Sequence, residues 1–209
     1  MAELYTTIEK EAVAEFEEKK SIFIGHAMPV KTEEEAAAFV KELKNKYRDA
    51  THNVFAYVLG DGTVQRYSDD GEPQGTAGMP VLDVIRKSGC TDTAIVVTRY
   101  FGGTLLGTGG LVHAYSQSAK QGLLESKIVE MNLSDILSVR VDYSLIGKMQ
   151  HKFVTDGYTL EDTIFESDVN FIVSSPIDKT ERLIADIIEL TNGSAKCEVV
   201  DKKYVHRFI

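Results

Sequence analysis

Residues 98–111 read TRYFGGTLLGTGGL, and this stretch joins a strand-like segment to a helix-like one. The continuous apolar run before it, Ala94 to Thr98, predicts a central strand, and Leu111 to Leu124 after it predicts a helix. Five of the fourteen residues are glycine, which adopts positive φ without a steric penalty and lets a ligand approach the backbone. Because the loop leads into a helix N-terminus, several N–H groups can point at one anion, and we expect a binding loop here.

This glycine-rich loop does not match the two common nucleotide-binding motifs. Gly102 and Gly107 have the spacing of a phosphate-binding P-loop, but Thr108 stands where the lysine belongs. A dinucleotide fingerprint that starts at Gly107 meets Val112 where its last glycine should be. The loop therefore predicts binding without naming a nucleotide.

A second unusual segment, Ser68 to Pro80, reads SDDGEPQGTAGMP. Its acids Asp69, Asp70 and Glu72 could hold a hard cation through carboxylate oxygens. They do not follow the calcium-loop pattern, however, and turn chemistry explains every residue type present. We expect a turn without a metal ion, and we expect this segment to lie against the glycine-rich loop in one shared surface.

The composition is typical of a globular chain with an acidic balance. Of its 209 residues, 43% are hydrophobic and 26% are charged, and the formal net charge is −9. No apolar run approaches the roughly 20 residues of a membrane span, and the N-terminal residues lack the apolar core of a signal peptide, so we expect a cytoplasmic protein. Cys90 and Cys197 are too few for a disulfide framework. A chain this acidic would have to contact nucleic acid through a local patch.

The N-terminal residues carry conflicting signals. Glu9 to Lys20 favours a helix by propensity, whereas Ile22 to Val30 is typical of a strand, and a hairpin that turns near Lys19 and Lys20 is the alternative. Thr32 and Glu35 form a capping-box pattern, which predicts a helix from Thr32 onward. The next expected elements are a strand, a turn, a short strand and a helix, at Val54 to Leu59, Asp61–Gly62, Thr63 to Tyr67 and Pro80 to Arg86.

From Met131 onward the pattern becomes strand, helix, strand, strand, helix, strand. This order over about eighty residues matches the ferredoxin-like split βαβ motif. We therefore predict an α+β protein with two domains, residues 1–130 and 131–209, joined near Glu125 to Leu133. The six segments of the second domain are Leu133 to Tyr143, Leu145 to Phe153, Tyr158 to Phe165, Val169 to Val173, Asp178 to Leu190 and Ala195 to Val205.

Histidines and cations near the two unusual segments are candidates for the site. His52 and His113 lie nearest, but the sequence has neither a G-x-S-x-G elbow nor an H-E-x-x-H pair, so we expect structural histidines and no catalytic residue. Arg99 beside Tyr100 and Phe101 suits stacking on a base or contact with phosphate. A salt bridge from Arg99 to an acid of the second segment is the alternative, and both are compatible with the pattern.

The two segments together resemble the signature of the IMPACT family, in its bacterial two-domain form (the YigZ type). The resemblance is carried by SDDGEPQGTAGMPVL and VVTRYFGGTLLGTGGLVHAYS, by Lys19-Lys20-Ser21-x-Phe23, and by His52-Asn53 followed by Ala56-Tyr57. It covers the whole chain. It implies an N-terminal domain that resembles the second domain of ribosomal protein S-five, and a C-terminal ferredoxin-like domain similar to one in translational elongation factors. Eukaryotic relatives act as translational regulators.

Three functions are compatible with these features. The leading hypothesis is a non-catalytic cytosolic regulator of translation that binds RNA, the ribosome or a translation-associated protein. The alternatives are a metal-dependent enzyme on a nucleotide or phosphoester substrate, with the acids of the second segment holding magnesium, and a protein-interaction module without nucleic-acid binding. We expect a monomer without a cofactor or a membrane contact. The candidate binding residues are Lys20, His52, Arg66, Asp69, Asp70, Glu72, Arg99, Tyr100, Gly102, Gly103, Gly107, Gly109 and Gly110.

Overall fold

The computed structural model describes residues 4–208, with side chains described as far as His206. The chain is α+β, as predicted, with five α-helices and two β-sheets over those residues. It divides into two compact units, the first extending to Glu130 and the second spanning Met131–His206. Within residues 4–208, no helix has the length and apolar character needed to cross a membrane.

The first unit is built on a five-stranded antiparallel sheet with the order β2-β3-β6-β4-β5. The middle strand, β6, is buried along its length except at its last residue, which confirms the prediction of a central strand from the continuous apolar run. The elements are β1 Leu4–Ile8, β2 Ala12–Glu18, β3 Ser21–Pro29, α1 Glu33–Lys46, β4 His52–Leu59, β5 Val64–Ser68, α2 Gly78–Ser88, β6 Thr93–Tyr100 and α3 Gly107–Glu125.

Helices cover both faces of this sheet. Helix α1 packs on one face, where Phe39 and Leu43 meet Tyr57 and Val96. Helices α2 and α3 cover the other face. Because β-strand side chains alternate between faces, consecutive residues of β6 enter the two different cores. The even-numbered residues of this strand face α1, and the odd-numbered ones face α2 and α3.

The N-terminal segment that favours a helix by propensity is instead the strand β2. Its residues alternate between half-buried and exposed, and Phe16 stacks on Phe23 of β3 with ring centroids 5.4 Å apart. The hairpin turns at Lys19 and Lys20, whose φ values of 48° and 68° are those of a two-residue turn with both residues left-handed. Packing against the sheet therefore outweighs the local helix propensity of the Glu and Lys residues.

Helix α1 begins where the capping-box pattern places it. Thr32 Oγ1 accepts a hydrogen bond from the Glu35 N–H at 3.2 Å. The reciprocal bond of a capping box differs, because the Glu35 carboxylate accepts from the N–H of Lys31 at 2.6 Å rather than from that of Thr32. Two side chains therefore fix where the helix starts: Thr32 just before it and Glu35 within its first turn.

The second unit contains the predicted βαββαβ order. Strand β9 lies between β7 and β8 and is antiparallel to both, and β10 pairs with β7, as in a ferredoxin-like domain. The division at Glu130 falls inside a strand rather than in a loop. The elements are β7 Ile128–Val141, a 3-10 turn Tyr143–Leu145, α4 Ile146–Thr155, β8 Thr159–Phe165, β9 Val169–Pro176, α5 Ile177–Leu190 and β10 Lys196–Phe208.

A buried histidine of β3 makes the stability of the fold depend on pH. His26 is 1% exposed, lies 5.1 Å from the Tyr47 ring between centroids, and has no hydrogen-bond partner for Nε2 within the described residues. Burial, together with the positive charge of Lys46, lowers the pKa of His26 from 6.5 to about 4. The unfolded chain therefore takes up this proton near pH 6.5, whereas the folded chain takes it up only near pH 4.

We expect acid to destabilise the fold through His26 in the window between these two pKa values. As pH falls below about 6.5, the unfolded state gains a proton that the folded state excludes, and the free energy of unfolding should drop by up to about 1.4 kcal/mol per pH unit. Urea unfolding of the wild type and His26→Gln between about pH 7 and pH 5 measures this slope. In His26→Gln the free energy of unfolding should depend less steeply on pH than in the wild type. Equal pH dependence in the two proteins would contradict the expectation.

Candidate functional site

The candidate site lies at the end of β6, where the sheet register places Arg99 between two neighbours. Phe23 of β3 is paired with Arg99 on one side, and His52 of β4 is paired with it on the other. The three side chains therefore share the face of the sheet that α2 and α3 cover. The segment 68–80 crosses the same face, because Glu72 within it reaches the arginine.

The centre of the site is a buried ion pair with a tyrosine hydroxyl. Arg99 Nη1 donates to Glu72 Oε1 at 2.5 Å, and the hydroxyl of Tyr115 on α3 donates to the same oxygen at 2.8 Å. The exposed fractions of Arg99, Glu72 and Tyr115 are 4%, 8% and 0%. A buried carboxylate needs such partners, because an unpaired charge in the interior costs several kcal/mol. The two unusual segments are thus fastened to each other through one carboxylate.

Aromatic rings hold the Arg99 guanidinium on two sides. Its central carbon lies 5.4 Å from the centroid of the Phe23 ring and 5.5 Å from that of Phe101, distances at which a cation is attracted to a ring face. Nη2 donates to Ser21 Oγ at 3.4 Å. Within residues 4–208, Nε has no hydrogen-bond partner. In this structure Arg99 links the two segments, because Nη1 is bonded to Glu72 while Nη2 is directed at Ser21.

Burial and charge fix the proton on Tyr115. Desolvation, followed by the negative charge of Glu72 and the hydrogen bond to it, raises the pKa of Tyr115. The hydroxyl therefore remains a donor to Glu72 over the whole physiological range. Tyr115 is also packed edge-on against Phe23, with centroids 5.3 Å apart. Tyr115 was not among the residues predicted from the sequence. Its one signal is a tyrosine on the otherwise small and apolar face of the predicted helix, where its hydroxyl needs a buried partner.

His52 has both ring nitrogens directed at protein groups. Nδ1 lies 2.8 Å from the backbone carbonyl oxygen of Asp70, so this nitrogen carries a proton and donates. Nε2 faces Glu72 Oε1 at 3.7 Å. Gly71, with φ of +88°, brings its backbone against the ring, because a Cβ there would lie 3.5 Å from Nδ1. The His52 ring therefore packs between β4 and the segment 68–80.

The carboxylates of the acidic segment diverge instead of converging on one point. Asp69 accepts from the backbone N–H groups of Gly75, Ala77 and Gly78 at 2.8–3.1 Å, which caps the start of α2. Asp70 accepts from Lys44 Nζ at 2.5 Å and from the Asn53 N–H at 2.6 Å. Glu72 is held by the arginine and the tyrosine. Each of the three carboxylates is therefore bonded to its own set of protein groups.

The glycine-rich loop combines a tight contact with an open helix start. Gly102 donates its N–H to Ser21 Oγ at 3.2 Å and leaves no room for a Cβ, which would collide with the Lys20 carbonyl. Helix α3 begins at Gly107, four residues before the predicted Leu111, and its N-cap residue, Leu106, supplies no capping hydrogen bond from its side chain. Thus Gly107, Gly109 and Gly110 belong to the first turn of α3, whereas Gly102 and Gly103 belong to the loop.

Besides Asp69 and the glycines at positions 103, 107, 109 and 110, three candidate side chains lie outside the cluster. Arg66 on β5 is exposed, with Nε 3.8 Å from a Glu33 carboxylate oxygen. Tyr100 donates its hydroxyl to Asp49 at 3.1 Å. Lys20 presents an exposed side chain at the hairpin turn, and only its backbone contacts the glycine-rich loop. The structure therefore gathers His52, Asp70, Glu72, Arg99 and Gly102 around Tyr115, Phe23 and Ser21.

Comparison with known proteins places this arrangement in a family. Residues 19–123 match the family model described as "Impact N-terminal domain", and residues 139–194 match "Domain of unknown function (DUF1949)". The "IMPACT family member YvyE" of Bacillus subtilis is 36% identical over 100% of this chain and 97% of its own length. The "IMPACT family member YigZ" of Escherichia coli is 32% identical over 88% and 92%. A solved structure described as a hypothetical protein is 29% identical, with a TM-score of 0.62 over 96% and 99%.

The fold and the cluster define a class: α+β proteins in which an antiparallel sheet unit with a clamped arginine is followed by a ferredoxin-like unit. Family models match both parts of the chain, and relatives above 30% identity cover most of its length. The chain belongs to the IMPACT family. The resemblance seen in the sequence signature is thereby confirmed.

Proposed function

We propose that this chain is a non-catalytic cytoplasmic regulator of translation that binds RNA or the ribosome through the glycine-loop surface, residues 101–110. The observation that carries the proposal is the uncapped N-terminus of α3, which is presented at the surface next to the buried Arg99–Glu72 pair. Gly107, Thr108 and Gly109 are exposed there. The link to translation comes from the family resemblance.

The first turn of α3 suits a phosphate group. It contains no acidic residue, and its N–H groups carry the positive end of the helix dipole, equivalent to roughly half an elementary charge. Helix α3 is 19 residues long, so many aligned peptide dipoles contribute to this positive end. In a chain of net charge −9, an RNA contact needs such a local positive feature. The rigid attachment of the loop through Gly102 would limit the ordering cost of binding.

The internal bonds of the cluster favour binding over catalysis. A general base needs a free nitrogen or oxygen within reach of the substrate proton. His52 has one nitrogen bonded to a backbone carbonyl and the other facing Glu72. The carboxylate of Glu72 is itself bonded to Arg99 and Tyr115. The enzyme alternative would require these groups to exchange their partners before any chemistry.

A second candidate function, a protein-interaction module, is favoured by one specific observation. Leu105 in the middle of the glycine-loop surface is 85% exposed, and Phe101 at its start is 46% exposed. Exposed apolar residues at a loop tip are typical of protein–protein contacts. This candidate shares the surface with the leading proposal and differs in the chemistry of the partner.

We expect a negative charge at the first turn of α3 to weaken RNA binding strongly without harming the fold. Thr108→Glu places a carboxylate where it stabilises the helix and where it repels a phosphate, so affinity should fall roughly tenfold, or about 1.4 kcal/mol. Thr108→Gln, of the same size and neutral, is the matched control. Pull-down from cytosol with and without RNase, followed by filter binding of the recovered RNA, measures the effect.

The outcomes of this test separate the candidates. RNase-sensitive capture that is lost in Thr108→Glu and kept in Thr108→Gln supports the proposal. RNase-resistant capture that is lost in Leu105→Ser and kept in both Thr108 variants would instead make the chain a protein-interaction module. Turnover of a nucleotide or phosphoester by the purified protein would overturn the non-catalytic assignment.

A further inference from the structure

A groove on the opposite face of the first sheet has features that the glycine-loop surface lacks. It lies between α1 and the strands β4 and β5 and has a volume of about 500 Å³. Val40, Phe55 and Tyr57 form part of its lining, together with the cations Lys41, Lys44 and Arg66. We call this feature the α1 groove. Tyr57 and Val40 belong to the core under α1, whereas Phe23 and Tyr115, which lie around Arg99, belong to the core under α2 and α3. The α1 groove and the Arg99 site are therefore on opposite faces of the sheet.

The apolar part of the α1 groove contains two nearly parallel aromatic rings. Phe55 and Tyr57 have ring planes inclined by 10° and centroids 6.2 Å apart. They are two residues apart on β4, so they project from the same face of the strand. Phe55 is half-buried and packs beside the core under α1 without entering it. An aromatic ring held in this way can receive a flat ligand.

The polar part of the α1 groove is cationic. No acidic residue is among its lining residues, although the chain as a whole carries −9. Lys44 pairs with Asp70 and lies 5.8 Å from the Phe55 centroid, and Arg66 pairs with Glu33 at 3.8 Å. Both partners of the Arg66 pair are exposed, so this pair contributes little and can admit a phosphate. Lys44 is exposed as well, although its partner Asp70 is half-buried. Lys41 is exposed and makes no ion pair within residues 4–208.

We propose that the α1 groove binds a nucleotide, with the base stacked on Phe55 and the phosphate held by Lys41, Lys44 and Arg66. Aromatic rings beside cations are the combination that recognises unpaired nucleotides, because every base has a face to stack and every nucleotide a phosphate. The volume falls within the range of about 300–1,000 Å³ typical of small-ligand sites. A base paired within a duplex cannot stack on a side chain, so the ligand is a free nucleotide or an unpaired stretch of RNA.

This inference goes beyond the proposed function and does not depend on the glycine-loop surface. The groove uses α1, β4 and β5, whereas the glycine-loop surface uses the loop after β6 and the start of α3. A variant that loses binding at the glycine-loop surface can therefore still be tested for binding in the α1 groove.

Fluorescence anisotropy of a labelled single-stranded RNA decamer, titrated with the full chain, tests the proposal. Lys41→Gln/Arg66→Gln removes two exposed cations and should weaken binding roughly tenfold or more, as expected for the loss of charge-assisted hydrogen bonds. Phe55→Leu keeps an apolar side chain but removes the ring face, and it should weaken binding by about fivefold or more. The matched control is Lys87→Gln/Lys120→Gln, which removes the same charge from exposed positions on α2 and α3.

Each outcome bears on the proposal. Competition by AMP at micromolar concentration identifies a free nucleotide as the ligand, and binding of the decamer without such competition identifies unpaired RNA. Both support the groove as a nucleotide site if the control changes affinity by less than about twofold. An equal loss in the control, equal binding of duplex RNA, or binding of a glutamate-rich peptide in place of RNA would overturn it. Absence of binding by the wild type to both AMP and the decamer would also overturn it.

Discussion

Arg99→Ala should lower the free energy of unfolding of the first unit by about 3–5 kcal/mol, the range for breaking a buried ion pair. The substitution leaves the Glu72 carboxylate buried, and among the described residues the Tyr115 hydroxyl is then its one partner at hydrogen-bond distance. It also removes the guanidinium that lies 5.4 Å from the Phe23 ring centroid and 5.5 Å from that of Phe101. The chain contains no tryptophan, so urea unfolding followed by far-UV circular dichroism measures the change.

Two variants show whether the loss comes from the orphaned carboxylate. Arg66→Ala removes an exposed arginine and should change stability by less than about 0.5 kcal/mol. Arg99→Met/Glu72→Gln removes both charges together and should recover roughly half of the loss, because replacing both partners is far less costly than removing one. If the free energy of unfolding of Arg99→Ala were within about 1 kcal/mol of the wild-type value, the Arg99–Glu72 pair would not be what holds the two segments together.

Gly102→Ala should destabilise the same unit by about 3 kcal/mol or more, at the upper end of the cost of overpacking. An added Cβ would collide with the backbone carbonyl of Lys20 and lie 2.5 Å from the Ser21 nitrogen. These are main-chain atoms of the β2–β3 hairpin, which cannot rotate away as the end of a flexible side chain would. Urea unfolding and the spread of amide shifts in a nitrogen–proton correlation spectrum measure the effect and its location.

The same loop supplies the control. Gly109 lies in the first turn of α3 without a positive φ, and a Cβ added there would have no neighbouring atom within 4 Å. Gly109→Ala should therefore be neutral or stabilise the helix by up to about 1 kcal/mol. Equal stability of Gly102→Ala and Gly109→Ala would mean that the hairpin and the loop are not in close contact.

The second unit could be predicted from the sequence because its signals are local. Each strand and helix has its own hydrophobic period, and turn residues such as Asn192-Gly193 separate them. The observed order from β7 to β10 follows from those signals. The structure of the segment from Glu9 to Lys20 was harder to predict, because its Glu and Lys residues favour a helix in isolation. The pairing of β2 with β3, which decides the outcome, is a tertiary contact.

The candidate site could be predicted only in part. The sequence indicated that Arg99 and the acids of the segment 68–80 belong together, but not which acid is the partner. That choice depends on β6 and β4 lying side by side and on Asp69 being used to cap α2. Tyr115 was missed because its one signal is its place on a small, apolar helix face. Of the cations in the α1 groove only Arg66 was a candidate, because nothing local distinguishes a ligand-lining lysine from a solvated one on a helix.

The sheet order has a consequence for synthesis of the chain. Strands β2 and β3 form one hairpin and β4 and β5 another, yet β6, which is made last, lies between β3 and β4. During translation both hairpins therefore present an unpaired edge until β6 emerges, and unpaired edges are where nascent chains associate wrongly. Insertion of β6 closes both edges and at the same moment sets Arg99 between Phe23 and His52. Because one strand both joins the two hairpins and carries Arg99, the sheet cannot be closed before the arginine has its neighbours.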